Sequence, residues 1–178
     1  MSELGVMDTW VYGLLSGDTT LTAMLGKHPD SNECIYDALA PSGAVLPYVV
    51  FQVQTTSPDT VVVGNIRIAA NVAYAVRAIG GVGFATVRPI AAQIDALLHG
   101  ARGVSSNGVI LACYREQPLK LPPEIGPGGV VYYHQGGIYR VRARVTGIIE
   151  NGGDNGGDEE PPENGDDGST ASTPTRRS

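Results

Sequence analysis

The segment 137–145, GIYRVRARV, alternates apolar and charged residues from Tyr139 to its end. Successive side chains of a β-strand point to opposite faces of the sheet, so this alternation predicts a strand with two unlike faces. One face carries Arg140, Arg142 and Arg144, and the other carries Tyr139, Val141, Ala143 and Val145. A sheet built on this strand has an apolar face that must pack against other elements.

Further segments of the chain are predicted to be strands because they are apolar, aromatic or alternating. The clearest are 46–54, 71–79 and 109–116, with shorter candidates at 34–39 and 130–134. The three residues Gln135-Gly136-Gly137 are typical of a hairpin turn between strands 130–134 and 138–146. Two stretches rich in small, polar or proline residues, 55–65 and 117–129, are predicted to be long loops.

Two apolar stripes predict the helices that cover the sheet. Residues Phe84, Val87, Ala91, Ile94 and Leu98 recur at three- and four-residue spacing, and so do residues in the segment 7–15. Asp18 is placed to cap a second short helix that ends at Gly26. Strands that come in runs favour the α+β class. We expect a mostly antiparallel (mixed) sheet with the long helix and the N-terminal helix on one face.

Charge divides the chain into two parts, a domain at 1–149 and an acidic tail at 150–178. The tail contains eight acidic and two basic residues and almost nothing apolar, which predicts a disordered extension. The domain contains ten acidic and ten basic residues and is formally neutral. A neutral body gives no general argument for binding nucleic acid, which normally requires a basic excess.

No pattern in the sequence predicts a cofactor, a metal site or an enzyme. None of the three histidines, His28, His99 and His134, lies near carboxylates or cysteines at metal-ligand or catalytic spacing. We interpret Cys34 and Cys113 as buried thiols. The alternative is a small cysteine hydrolase in which Cys113 pairs with His134 across neighbouring strands. The chain begins without a secretion signal, and no apolar stretch approaches the ~20 residues that span a bilayer, so we expect cytoplasmic folding and no membrane contact.

Three interpretations of the arginine stripe formed by Arg140, Arg142 and Arg144 remain open. The first is a solvated sheet face. The second is a docking face for the carboxylates of a neighbouring subunit, which the planar guanidinium group suits well. The third is the wall of a lumen through which DNA passes.

The apolar triplet Val61, Val62 and Val63 lies inside the first predicted loop. An apolar run in a loop indicates a surface that is buried only on assembly, so this loop is a candidate assembly loop. The alternative is that the segment continues a β-hairpin.

The order of elements resembles that of bacteriophage tail terminator, or tail completion, proteins. The resemblance rests on the phrases IYDALAP (35–41) and LPYVVF (46–51), on the helical segment 7–25, on the helix 84–98 and on the closing strand 137–145. It covers residues 4–148, and the acidic tail departs from it.

This resemblance implies a virion protein at the tail–neck junction, without an active site. It would form a ring, typically a hexamer, that caps the tail tube, ends polymerisation of the major tail protein and joins the tail to the connector of the head. Its partners would be copies of itself, the tail tube protein, the head-completion protein and genomic DNA passing through the lumen without sequence-specific contacts. A related head–tail connector or stopper protein is the nearest alternative.

Overall fold

The computed structural model describes residues 3–27, 34–61, 67–105 and 108–145. The predicted tail at 150–178 and the residues Val62 and Val63 therefore lie outside the described residues. The helices are α1 (Glu3–Ser16), α2 (Thr19–Met24) and α3 (Phe84–Leu98), and the strands are β1 (Ile35–Asp37), β2 (Tyr48–Val61), β3 (Arg67–Gly80), β4 (Gly103–Ser105), β5 (Gly108–Ile125) and β6 (Val131–Val145).

The six strands form one sheet in the order β1-β2-β3-β6-β5-β4. Only β1 and β2 pair in parallel, and every other neighbouring pair is antiparallel. The predicted α+β class with a mixed, mostly antiparallel sheet is thus confirmed. The central pair is β3 with β6, whose register runs without a bulge from Ala70↔Ala143 to Gly80↔Tyr133.

Helices α1 and α3 pack on one face of this sheet, as the apolar stripes predict. The buried side chains of α3 are Val87, Ile90, Ala91, Ile94 and Leu98, and those of α1 include Met7, Val11 and Leu15. Asp18 caps α2 as expected, because its carboxylate accepts a hydrogen bond from the Leu21 backbone N–H at 2.6 Å. The same carboxylate oxygen also accepts from the Gln93 side chain at 3.1 Å, which ties α2 to α3.

Two buried tyrosines attach the helices to the central strands. Tyr74 of β3 and Tyr139 of β6 are cross-strand partners, and both are almost completely buried. The Tyr74 hydroxyl donates to Asp8 of α1 at 2.7 Å, and the Tyr139 hydroxyl donates to Asp95 of α3 at 3.2 Å. Burial raises the pKa of both phenols, so they remain protonated donors.

The predicted hairpin turn at 135–137 is wrong, because β6 passes through these residues without interruption. A Cβ atom on Gly136 would collide with the carbonyl oxygen of Val76 on β3, and one on Gly137 would lie 3.0 Å from the Tyr139 ring. These glycines therefore permit close approach inside the sheet rather than a turn. The actual turn joins β5 to β6 through Pro127–Gly129, where Gly128 and Gly129 have positive φ angles.

The predicted loops are also wrong over residues 55–61 and 117–125, whereas residues 126–129 do form the connection between β5 and β6. Residues 55–61 belong to β2, which forms a hairpin with β3, and residues 117–125 belong to β5. β4 pairs only with Gly108–Ile110, so among the described strands the rest of β5 has an unpaired outer side, where a proline without an N–H breaks no ladder bond. Pro122 and Pro123 coincide with a register shift between Leu121 and Glu124.

We predict that Tyr74→Phe lowers the free energy of unfolding by about 1 kcal/mol, because it removes one hydrogen bond to a partly buried carboxylate. Tyr139→Phe should lower the free energy of unfolding by less, since Asp95 keeps its ion pair with Arg115 at 3.0 Å. Urea unfolding followed by Trp10 fluorescence measures both, with the exposed Tyr12→Phe as the control. A larger loss for Tyr139→Phe than for Tyr74→Phe would contradict this account of the anchors.

We also predict that Gly136→Ala destabilises the fold by about 3 kcal/mol, the upper end of the usual range for overpacking, because its new methyl group meets backbone that cannot move alone. Gly13→Ala is the matched control. It lies within α1 with open space around its Cβ position, so it should stabilise by about 0.5–1 kcal/mol. Thermal unfolding of both variants tests the pair, and equal melting temperatures would refute the close-approach role of Gly136.

Candidate assembly surface

The sheet face opposite α1 and α3, here called the open face, carries the arginine stripe. Arg140 and Arg142 are half-buried and Arg144 is exposed, whereas Tyr139, Val141 and Ala143 on the helix-covered face are buried. The structure thus shows the alternation that the sequence predicts for β6. Because the β3–β6 register has no shift, His134 also belongs to the open face.

Arg140 is engaged within the chain. Its Nε and Nη2 atoms donate to the two carboxylate oxygens of Glu116 on β5 at 2.8 and 2.9 Å, a bidentate pair. Donating these hydrogen bonds to Glu116 raises the pKa of Arg140. Of the three stripe arginines, Arg144 therefore offers the most accessible charge to a partner.

A pocket occupies the other end of the open face. It encloses about 270 Å³ and is lined by residues of β2, β3, β5 and β6 and by both flanking connections. The connection after β1 contributes Leu39, and the turn after β5 contributes Pro127. Since β1 and β5 are far apart in the strand order, the sheet must curl toward its open face to bring these segments around one cavity.

Polar groups line the floor and mouth of this pocket. Arg77 of β3 donates from Nη2 to Gln52 at 3.1 Å, while its buried Nε has no hydrogen-bond partner within the described chain. His134 is only 7% exposed, and neither ring nitrogen has such a partner. The Glu124 carboxylate lies 3.6 Å from His134 Nε2. Burial and the Arg77 charge lower the pKa of His134, and Glu124 opposes them.

The proposed pairing of Cys113 with His134 is contradicted by the register. Cys113 lies opposite Val141, whereas His134 lies opposite Leu121, so the two residues are well separated along the sheet. They also belong to opposite faces, because Cys113 is part of the helix-covered core. Burial raises the pKa of Cys113 to about 12, which keeps it a thiol rather than a nucleophilic thiolate.

Of the three valines in the candidate assembly loop, only Val61 is among the described residues. Val61 is the last residue of β2 and pairs with Arg67, so for the described residues the hairpin interpretation holds. Across the described ranges, no cluster of three or more His, Cys, Asp or Glu side chains could hold a metal ion. Within the same ranges, no helix is long and apolar enough to cross a bilayer.

One residue of the pocket stands out in the sequence, although its pattern does not by itself predict a pocket. Arg77 is the single charged residue in the apolar segment 72–79, and on a half-covered sheet such a residue points to a polar feature of the surface. Tyr48, Arg77 and His134 are distant in sequence, so only the strand order could bring them together.

A family model described as tail completion protein gp17 matches residues 9–118, more than half of the chain. The chain belongs to the tail completion protein gp17 family. It is accordingly a structural protein of a phage tail. The match begins within α1 and covers the pocket strands β2 and β3, α3 and the first part of β5.

A solved structure shares the fold of this tail completion protein. A chain from a structure titled "Virion of native gene transfer agent (GTA) particle" superposes with a TM-score of 0.53 at 22% identity, covering 79% of this chain and 96% of the other. No curated protein matches the chain significantly.

We predict a coupling of about 1 kcal/mol between Arg140 and Glu116 in a double-mutant cycle, because the pair is bidentate and largely shielded from water. The Arg115–Asp95 pair is the matched control. It is more exposed on its arginine side and should show a weaker coupling. Urea unfolding of Arg140→Gln, Glu116→Gln and the double variant gives the value, and a coupling below that of the control pair would refute the assignment.

Proposed function

We propose that this protein forms a hexameric ring that caps the completed tail tube, stops polymerisation of the major tail protein and provides the surface for head–tail joining. The ring would stand at the tail–neck junction of a virion assembled in the host cytoplasm. Its contacts would be copies of itself, the tail tube protein and the head-completion protein, with genomic DNA passing through the lumen without sequence-specific binding.

The observation that carries this proposal is the tail completion family match over residues 9–118. The fold shared with a chain of a gene transfer agent virion is consistent with it. The architecture of the sheet adds a physical reason. Within the described residues the helices cover one face, whereas the other face combines charged groups with a pocket. A sheet with one face left uncovered by helices gains stability when a neighbouring molecule covers that face.

The Arg144 end of the open face and the β5–β6 turn are the natural places for subunit contacts. Arg144 is exposed at one end of the stripe, and a guanidinium group in that position can form a bidentate pair with a carboxylate of the adjacent copy. Exposed apolar side chains flank the β5–β6 turn, including Ile125 at 76% and Val130 at 41% exposure. Together these features supply the apolar and charged parts that a specific protein interface contains.

We predict that particles assembled without this protein carry tails of abnormal and variable length, because nothing ends polymerisation at the tube tip. Electron microscopy of such particles measures the tail-length distribution. Complementation with Arg144→Glu should restore normal tails poorly, whereas Arg88→Glu, an exposed charge reversal on α3, should restore them fully. Tails of normal length in the absence of the protein would refute the capping role.

A further inference from the structure

The pocket on the open face contains polar groups that the rest of the fold leaves without partners. Arg77 Nε and both ring nitrogens of His134 are buried and lack hydrogen bonds within the described residues. His134 is more than nine-tenths buried and lines the cavity. Buried polar atoms of this kind destabilise a fold when they stay unsatisfied, so the arrangement favours an occupant that satisfies them.

The chemistry of the pocket favours a carboxylate. Arg77 supplies a guanidinium donor, a neutral His134 supplies one N–H, and Tyr48 and Tyr132 add hydroxyl groups to the lining. Glu124 is the only carboxylate among the lining residues, and its side chain is 74% exposed, so it can turn to solvent at the mouth. A metal cation is disfavoured because the Arg77 charge would repel it.

The open face connects this pocket with the C-terminal end of the described chain. His134 lies at the start of β6, and Arg140, Arg142 and Arg144 follow on the same face toward Val145. The distance along β6 from His134 to Arg144 is about 33 Å. Asp158 is thirteen residues beyond Val145, and an extended chain of that length reaches about 45 Å. Acidic residues from Asp158 onward can thus reach the pocket.

We propose that the acidic segment 150–178 folds back along the open face of its own subunit and places one of its carboxylates in the pocket, against Arg77 and His134. The segment carries eight acidic residues against two basic ones, a charge that suits the arginine-bearing open face. The proposal gives both the pocket and the acidic extension a role.

Tethering makes even a weak contact effective. A segment joined to the body by a short flexible linker is present near its site at an effective concentration on the order of millimolar. A single carboxylate that binds Arg77 and His134 with a dissociation constant near 1 mM would therefore occupy the pocket for a large part of the time. An anion in the pocket also favours the charged imidazolium form, so it raises the pKa of His134.

The experiment follows the three histidines of the full-length chain by NMR, using histidine labelled at Cε1. The native protein is compared with a full-length variant in which the eight tail acids become amides: Glu150→Gln, Asp154→Asn, Asp158→Asn, Glu159→Gln, Glu160→Gln, Glu163→Gln, Asp166→Asn and Asp167→Asn. We predict that the titration midpoint of His134 lies at higher pH in the native protein, while those of His28 and His99 do not move. Equal shifts of all three would indicate a general field effect and overturn the proposal.

Two further arms separate the sources of the carboxylate. In the Arg77→Gln background, the His134 midpoints of the native and amide tails should no longer differ. In the Arg88→Gln background, which removes an exposed charge on α3, the difference in the His134 midpoint should persist. Adding excess unlabelled native protein to the labelled amide variant should leave the His134 midpoint unchanged. A rise in that mixture would show that a second copy supplies the carboxylate, and a native midpoint equal to that of the amide variant would show that the tail does not enter the pocket.

Discussion

The fold depends on one pair of buried tyrosines at a single register position of the sheet. Tyr74 and Tyr139 lie opposite each other on the two central strands, and their hydroxyl groups bind Asp8 of α1 and Asp95 of α3. Burial of apolar side chains drives the helices onto the sheet but does not fix where they sit. The two hydrogen bonds are directional, so they fix the position of each helix along the strands. The helix layer and the sheet are therefore aligned from the centre outward.

Because the helices cover one face of the sheet, the shape of the open face is determined by the strands themselves. Strands β2, β3, β5 and β6 are 14 to 18 residues long, well beyond the common length of about 5–6 residues. Long antiparallel strands accumulate twist, and Gly136 allows β6 to approach Val76 closely. The sheet curls as a result, so its open face is concave at one end, where the pocket lies, and carries the arginine stripe at the other.

The local sequence pattern was sufficient to predict the α+β class, the alternation of β6 and the apolar stripe of α3, because each of these depends on residues close in sequence. It failed where the deciding neighbour is remote. Gly136 and Gly137 look like a turn, yet the carbonyl of Val76 requires the first of them. Pro122 and Pro123 are typical of a loop, yet they lie in β5, where β4 no longer pairs with it and the register with β6 shifts. The pocket was beyond prediction because Tyr48, Arg77 and His134 meet only through the strand order.

The two faces of the sheet differ in whether their buried polar atoms have hydrogen-bond partners, and this difference indicates the functional side. On the helix-covered face, the hydroxyls of Tyr74 and Tyr139 both reach a carboxylate. On the open face, Arg77 Nε and the His134 ring are buried without such partners inside the described part of the chain. A fold that satisfies its interior donors on one side has no structural reason to leave others unsatisfied on the other side. The open face thus lacks hydrogen-bond partners for these groups within the described residues, and the unsatisfied groups mark where another segment of the same chain would bind.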